Sequence, residues 1–240
     1  MSSTVGFVTI GQSPRTDMME EFERALPGGR LLQRGALDEL DAAEIASLAP
    51  AERDGVLVSR LRSGRSVRLA HRHIEPRVQA CFEQFAHDGV DVAVLLCTGD
   101  FPGLRFPGVL LRPHRVLPHV VAALAEGLPA GAGASGVRVG VMVPDEAQVA
   151  PAEVRWGPRA GAVTAVAASP YGEPGTLEEA ARALRRAGVV LVVMDCIGYT
   201  RAMQQIVAGT AGVPAVFATG AVALILHELV RGGAPAPSSR

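Results

Sequence analysis

The feature that most constrains this chain is a repeated passage from an apolar strand to a thiol. Val189-Val190-Leu191-Val192-Val193-Met194 runs directly into Asp195-Cys196-Ile197-Gly198-Tyr199-Thr200, and earlier Val90-Asp91-Val92-Ala93-Val94-Leu95-Leu96 runs into Cys97-Thr98-Gly99. Aliphatic runs this short and this rich in valine read as strands buried on both faces, as in a parallel sheet. In open α/β sheets, ligands bind at the carboxyl ends of the strands. Two comparable strand ends therefore each offer a cysteine, a glycine and hydroxyl groups at a place suited to a ligand.

The remaining pattern is alternation. Val5–Ile10 reads as a strand, followed by the loop Gly11-Gln12-Ser13-Pro14-Arg15-Thr16-Asp17 and a helix from Met18 to Leu26 capped by Thr16 or Asp17. Leu31-Leu32 suggests a second strand, and Asp41-Ala42-Ala43-Glu44 is a capping box opening a short helix. Val56–Arg60 and Ser66–Ala70 flank Arg62-Ser63-Gly64-Arg65 and alternate apolar with polar, which predicts a hairpin half open to solvent. A helix over Glu75–His87 holds Cys81 beside Phe82 and Phe85, where a lone thiol reads as a core residue. Gly108–Arg112 is a strand, and Pro113 opens a helix to Glu126.

Gly131-Ala132-Gly133-Ala134-Ser135-Gly136 reads as a linker, after which the pattern restarts. Strands are expected over Val137–Val143, Ala162–Ala168, Val189–Met194 and Val213–Ala218. Helices are expected toward Arg155-Trp156 and over Leu177–Ala187, Thr200–Ala208 and Ala221–Arg231. The fold class is thus α/β, in two pseudo-symmetric lobes, each a mostly parallel sheet flanked by helices, with the small hairpin inserted in the first. The lobes are placed at 1–130 and 137–231, with exchange of terminal elements left open, and 232–240 reads as a disordered tail.

Composition narrows the function. A net charge of -1 gives no reason to expect nucleic acid as a partner, and no apolar run approaches the roughly 18 residues of a membrane span. The chain enters a strand near Thr4 without a basic n-region or cleavage site, so no signal peptide is expected. Three widely spaced cysteines do not make a disulfide framework and suit a reducing cytoplasm. Metal binding fits poorly, because neither strand-end cysteine has a CxxC or a histidine at ligand spacing. A Cys–His hydrolase would need His114 or His119 as base, and nothing in the sequence ties either to a thiol.

Acid–base chemistry by the thiols themselves accounts better for the repeat. One thiolate removes a proton from a carbon acid while the opposite thiol delivers one to the other face. Thiols suit this because their unperturbed pKa, about 8.5, is close to neutrality. The first loop adds backbone N–H groups at a helix start, and Arg15 adds a bidentate carboxylate donor.

Thr9-Ile10-Gly11-Gln12-Ser13-Pro14-Arg15, Leu96-Cys97-Thr98-Gly99-Asp100-Phe101-Pro102 and Met194-Asp195-Cys196-Ile197-Gly198-Tyr199 resemble the AroM family over nearly the whole chain. AroM proteins look like members of the aspartate/glutamate racemase superfamily, which has two pseudo-symmetric lobes, no cofactor and paired cysteines at the interlobe cleft. The resemblance implies that Cys97 and Cys196 are the two catalytic thiols. It also implies that Thr98 and Gly99 are the small residues after the first thiol, and that Ser13 is the first-loop hydroxyl that binds carboxylate. This chain departs from the racemase pattern at Asp195 and Ile197, where a small residue and a threonine are usual. Asp195 can serve as a base for Cys196 or raise its pKa by like charge.

The expected function is cofactor-independent racemisation or isomerisation of a small carboxylate or related carbon acid by Cys97 and Cys196. Gly11, Gln12, Ser13, Arg15, Thr98, Gly99, Asp195, Gly198, Tyr199 and Thr200 would contact the substrate. No metal, cofactor, nucleic acid or membrane is expected, and a homo-oligomer is left open. A decarboxylase or lyase using one cysteine and a non-catalytic small-molecule binder are the alternatives.

Overall fold

The structure, a computed structural model, describes residues 4–128 and 137–231. The expected glycine-rich linker and the tail lie outside the described residues. Two compact units emerge, one comprising Met1–Pro113 with Val222–Arg240, the other His114–Ala221.

The first unit contains β1 (Thr4–Thr9), α1 (Thr16–Ala25), β2 (Arg30–Gly35), α2 (Ala42–Ser47), β3 (Val56–Arg60), β4 (Ser66–Ala70), α3 (His71–His87), β5 (Val92–Leu96) and β6 (Val109–Leu111). Its sheet has the order β2-β1-β5-β6 with every pairing parallel. Every residue of β5 is buried, as its unbroken apolar run requires. Val8, Leu95, Ile74, Val78 and Phe82 share one core cluster, and the Phe7 and Phe22 rings meet at 4.7 Å.

The second unit contains α4 (Pro113–Gly127), β7 (Arg138–Val143), a 3-10 turn (Glu146–Gln148), α5 (Val149–Ala160), β8 (Ala162–Ala167), α6 (Thr176–Arg186), β9 (Leu191–Met194), α7 (Arg201–Ala211) and β10 (Ala215–Phe217). The last helix, α8 (Ala218–Arg231), starts here and continues into the first unit, where His227 Nδ1 donates to the Ala25 carbonyl at 2.5 Å. The second sheet runs β8-β7-β9-β10, again all parallel. With β7 standing for β1, β8 for β2, β9 for β5 and β10 for β6, the two sheet orders are the same. In each, the chain steps from its first strand to one side and later to the other. This creates a switch point between β1 and β5 and another between β7 and β9, where strand-end loops diverge and leave room for a ligand.

β3 and β4 pair antiparallel, Leu57 opposite Leu69 and Ser59 opposite Val67. The hairpin turns at Gly64, whose φ of 84° lies where L side chains are strained. The predicted alternation is visible in β3, where Leu57 and Ser59 are buried and their neighbours partly exposed.

Several boundaries differ from the sequence reading. α3 begins at His71, not Glu75, and carries Pro76 inside its first turns. Tertiary contacts hold that start: His71 Nε2 donates to the Asp100 carbonyl at 2.6 Å, and Glu75 accepts the Gly103 N–H at 2.7 Å. α1 is preceded by Arg15 at the N-cap with no side-chain cap, so neither Thr16 nor Asp17 takes that role. Thr200 caps α7 instead of belonging to it, accepting the Met203 N–H at 3.3 Å. No helix among the described residues is long and apolar enough to cross a membrane.

Candidate functional site

In the first unit the loops after β1 and β5 flank the switch point. Cys97 directly follows β5 and is buried, and its Sγ accepts the Gly99 N–H at 3.3 Å. Thr98 and Gly99 are half-buried beside it. A Cβ at Gly99 would lie 3.0 Å from Leu57 and 3.1 Å from Phe101, so the inner face of β3 walls this turn. The following loop is tied to α3. His71 stacks on Phe101 with centroids 4.5 Å apart, and Gln79 accepts the Arg105 N–H at 2.8 Å.

The first loop is held by partners that its own sequence does not announce. Gly11 donates to Thr9 Oγ1 at 3.2 Å, and a Cβ there would collide with Ser59 Oγ and the Arg60 carbonyl. Ser59 is buried, and its hydroxyl has no hydrogen-bond partner among the described residues. Gln12 donates to the Leu37 carbonyl and accepts the Arg62 N–H at 3.1 Å. Ser13 gives both its N–H (2.7 Å) and its Oγ–H (2.6 Å) to the carboxylate of Asp38. Arg15 is 4% exposed and grips Asp17 through two parallel bonds, Nε to Oδ1 at 2.9 Å and Nη2 to Oδ2 at 2.8 Å. Burial alone would raise the Asp17 carboxyl. The Arg15 bonds and charge, with Arg60 3.8 Å away, overcome this and hold it below the usual carboxylate range.

In the second unit Cys196 follows β9, is buried, and its Sγ accepts the Gly198 N–H at 3.5 Å. Both thiols thus close the same tight turn, with a glycine amide two residues on directed at sulfur. Backbone donors aimed at an atom stabilise negative charge on it. Gly198 leaves no room for a side chain: a Cβ would strike the Tyr171 hydroxyl and lie 3.1 Å from Pro170. Tyr199 is 1% exposed and donates to the Ala168 carbonyl at 2.5 Å. Burial first, then the charges of Cys196 and Tyr171, push its hydroxyl well above the ordinary tyrosine value, so it remains a donor. Thr219 Oγ1 binds the Ile197 carbonyl at 2.6 Å and completes the bracing of the loop.

Asp195, buried immediately before the thiol, is engaged at Oδ2 by the Trp156 indole N–H at 2.8 Å and by Arg155 Nη2. Both partners lie on α5, and sequence reasoning missed both. It also missed Asp38, Ser59 and Arg62. The turn after β7, Pro144-Asp145, occupies the place in the second sheet that the first loop holds in the first, and only sheet order reveals it.

Cys81 stays outside this chemistry. It packs in the first core, and burial followed by the charge of Asp38 pushes its thiol up to about 11, with Arg34 opposing. None of the three cysteines is joined to another in a disulfide. Among the described residues no group of three or more His, Cys, Asp or Glu is placed to hold a metal ion.

No curated protein matches the sequence. Allantoin racemase from Klebsiella pneumoniae superposes with a TM-score of 0.58 at 16% identity, over 98% of this chain and 90% of that one. Glutamate racemase from Francisella tularensis gives 0.59 at 11% identity, over 96% and 82%. Arylmalonate decarboxylase gives 0.56 at 14% identity, over 98% and 96%. Likeness at these identities speaks for the fold alone: this chain has the fold seen in those two racemases and that decarboxylase. A family model described as AroM protein matches residues 5–230, and this chain belongs to that family.

Proposed function

We propose that this protein is a racemase or isomerase of a small carboxylate or related carbon acid, in which Cys97 and Cys196 act as acid and base without a cofactor. The observation that carries the reading is the matched pair of thiol turns. Each sulfur lies just past the end of the corresponding strand of a sheet of the same order, next to a switch point, with a glycine N–H directed at it. One thiolate takes the α-hydrogen of the substrate as a proton, the electron pair passes into the adjacent carbonyl, and the other thiol gives its proton to the opposite face. The second thiol is then the thiolate, ready for the reverse direction. The racemases of the same fold support this reading. Three cysteines held as thiols accord with a reducing, cytoplasmic setting.

A decarboxylase of the same fold favours a second reading, in which loss of carbon dioxide leaves an enediolate that a single thiol protonates. Proton exchange in D₂O separates the two. Small amino acids, hydantoins and α-substituted malonates would be screened for deuterium at the α-carbon. A two-thiol racemase exchanges that hydrogen, and Cys97→Ser and Cys196→Ser each abolish net racemisation, since a serine hydroxyl is a poor acid–base group near neutrality. A decarboxylase releases carbon dioxide and depends on one cysteine only. Tight binding of a small acid with neither exchange nor turnover, undiminished in the double serine variant, would leave a binding protein.

A further inference from the structure

The donors of the first loop converge on a carboxylate that the chain itself supplies. Asp38 Oδ1 accepts the Ser13 N–H at 2.7 Å and Arg62 Nη2 at 2.8 Å, while Oδ2 accepts the Ser13 hydroxyl at 2.6 Å and the Gly35 N–H at 2.7 Å. Two donors on each oxygen, one of them a guanidinium, make a complete carboxylate cradle. The donors come from three separate segments: the loop after β1, the end of β2 and the hairpin turn. Arg62 is anchored for the task, with its Nε on the Ser13 carbonyl and its backbone N–H on Gln12. Gly35 permits the approach, since a Cβ there would sit 2.6 Å from both Asp38 Oδ1 and the Ser13 nitrogen.

We infer that Ser13, Gly35 and Arg62 form a carboxylate-binding site that Asp38 occupies in cis. Ser13 then meets no substrate carboxylate in the resting protein, and Asp38 is a positioning residue that shapes the loop beside Cys97. A substrate carboxylate is left to other donors around the thiol turns. The hairpin acquires a role, because without Arg62 the cradle loses its one charged donor. None of this depends on whether the chain turns over a substrate.

The inference is tested by emptying the cradle. Asp38→Ala, verified as folded, is titrated with formate against chloride at equal ionic strength while Tm is followed. Formate should stabilise this variant saturably, by about 3–6 °C at ten times its Kd, and should leave the wild type unmoved. Adding Arg62→Met should remove the rise. No formate-specific rise in folded Asp38→Ala, or an equal rise in the wild type, would overturn the proposal. Should Asp38→Ala fail to fold, a second measurement decides. Alkylation of Cys97 by iodoacetate relative to iodoacetamide, mapped by mass spectrometry, should keep the same ratio within about twofold in Ser13→Ala, and a larger fall would mean that Ser13 receives an external carboxylate directly. Both readouts are independent of catalysis, so a failure to find D₂O exchange leaves them unaffected.

Discussion

Trp156 donates its indole N–H to Asp195 Oδ2 at 2.8 Å, and both residues are buried. Through this bond α5 fixes the carboxylate that immediately precedes Cys196, and Arg155 balances its charge from the same helix. A carboxylate next to a thiol would ordinarily disfavour the thiolate by like-charge repulsion. The paired arrangement allows Asp195 to brace the loop without imposing a full uncompensated charge on the sulfur.

Trp156→Phe should therefore cost about 1–3 kcal/mol from the lost indole hydrogen bond to a buried carboxylate, read as a lower urea midpoint. Arg155→Met goes further, leaving the Asp195 charge without its cationic partner. Iodoacetamide should modify Cys196 more slowly in that variant at neutral pH, with Cys97 modified at its wild-type rate. Equal slowing at both thiols would point to general loosening instead.

The two glycines behind the thiols should tolerate alanine unequally. Gly198→Ala drives a methyl group into the Tyr171 ring, whose Cζ would lie 2.7 Å away, and a ring next to a buried loop has little freedom to retreat. The expected cost is about 1–3 kcal/mol with loss of Cys196 reactivity. Gly99→Ala meets neighbours at 3.0–3.4 Å, which shifts of a few tenths of an ångström can relieve. Thermal unfolding of the two variants should rank them in that order.

Asp17 supplies a pH test. Its carboxyl is held below the unfolded value of about 3.9, so its contribution to stability is fully present above that pH and is lost as pH falls through the lower folded value. The stability gap between wild type and Asp17→Asn should be constant from pH 7 to about 5 and close steadily toward pH 2. Arg15→Lys should lose most of the same gap at neutral pH, because an ammonium cannot reproduce the two parallel bonds.

Cys81 should stay unmodified when the native protein is alkylated at pH 7.5, as a buried thiol pushed up to about 11 is almost wholly protonated there. Cys81→Ala should leave any α-proton exchange intact and lower stability only through lost packing. Loss of exchange with the fold preserved would bring this thiol into the mechanism.

The local sequence determined the strands, most of the helices and the position of both thiols. Uninterrupted apolar runs such as Val92–Leu96 and Leu191–Met194 are fully buried in the structure, and burial on both faces is a property a run carries by itself. The Asp41 capping box closed as read, because its partners lie three residues apart. The start of α3 was not legible. Pro76 discourages a helix through Glu75, and the contacts of His71 and Glu75 with the loop after Cys97 override that preference.

Tertiary structure alone decided what the polar residues do. Ser13 and Arg15 look like open ligand donors in their own loop, yet Ser13 is claimed by Asp38, 25 residues on, and Arg15 turns to Asp17. Asp195 looks like a free base until Trp156, 39 residues earlier, reaches it. Burial is encoded in composition along a segment. The partner of a buried charge or hydroxyl is set by whichever donors the packing of distant elements brings within 3 Å, and no local pattern records that distance.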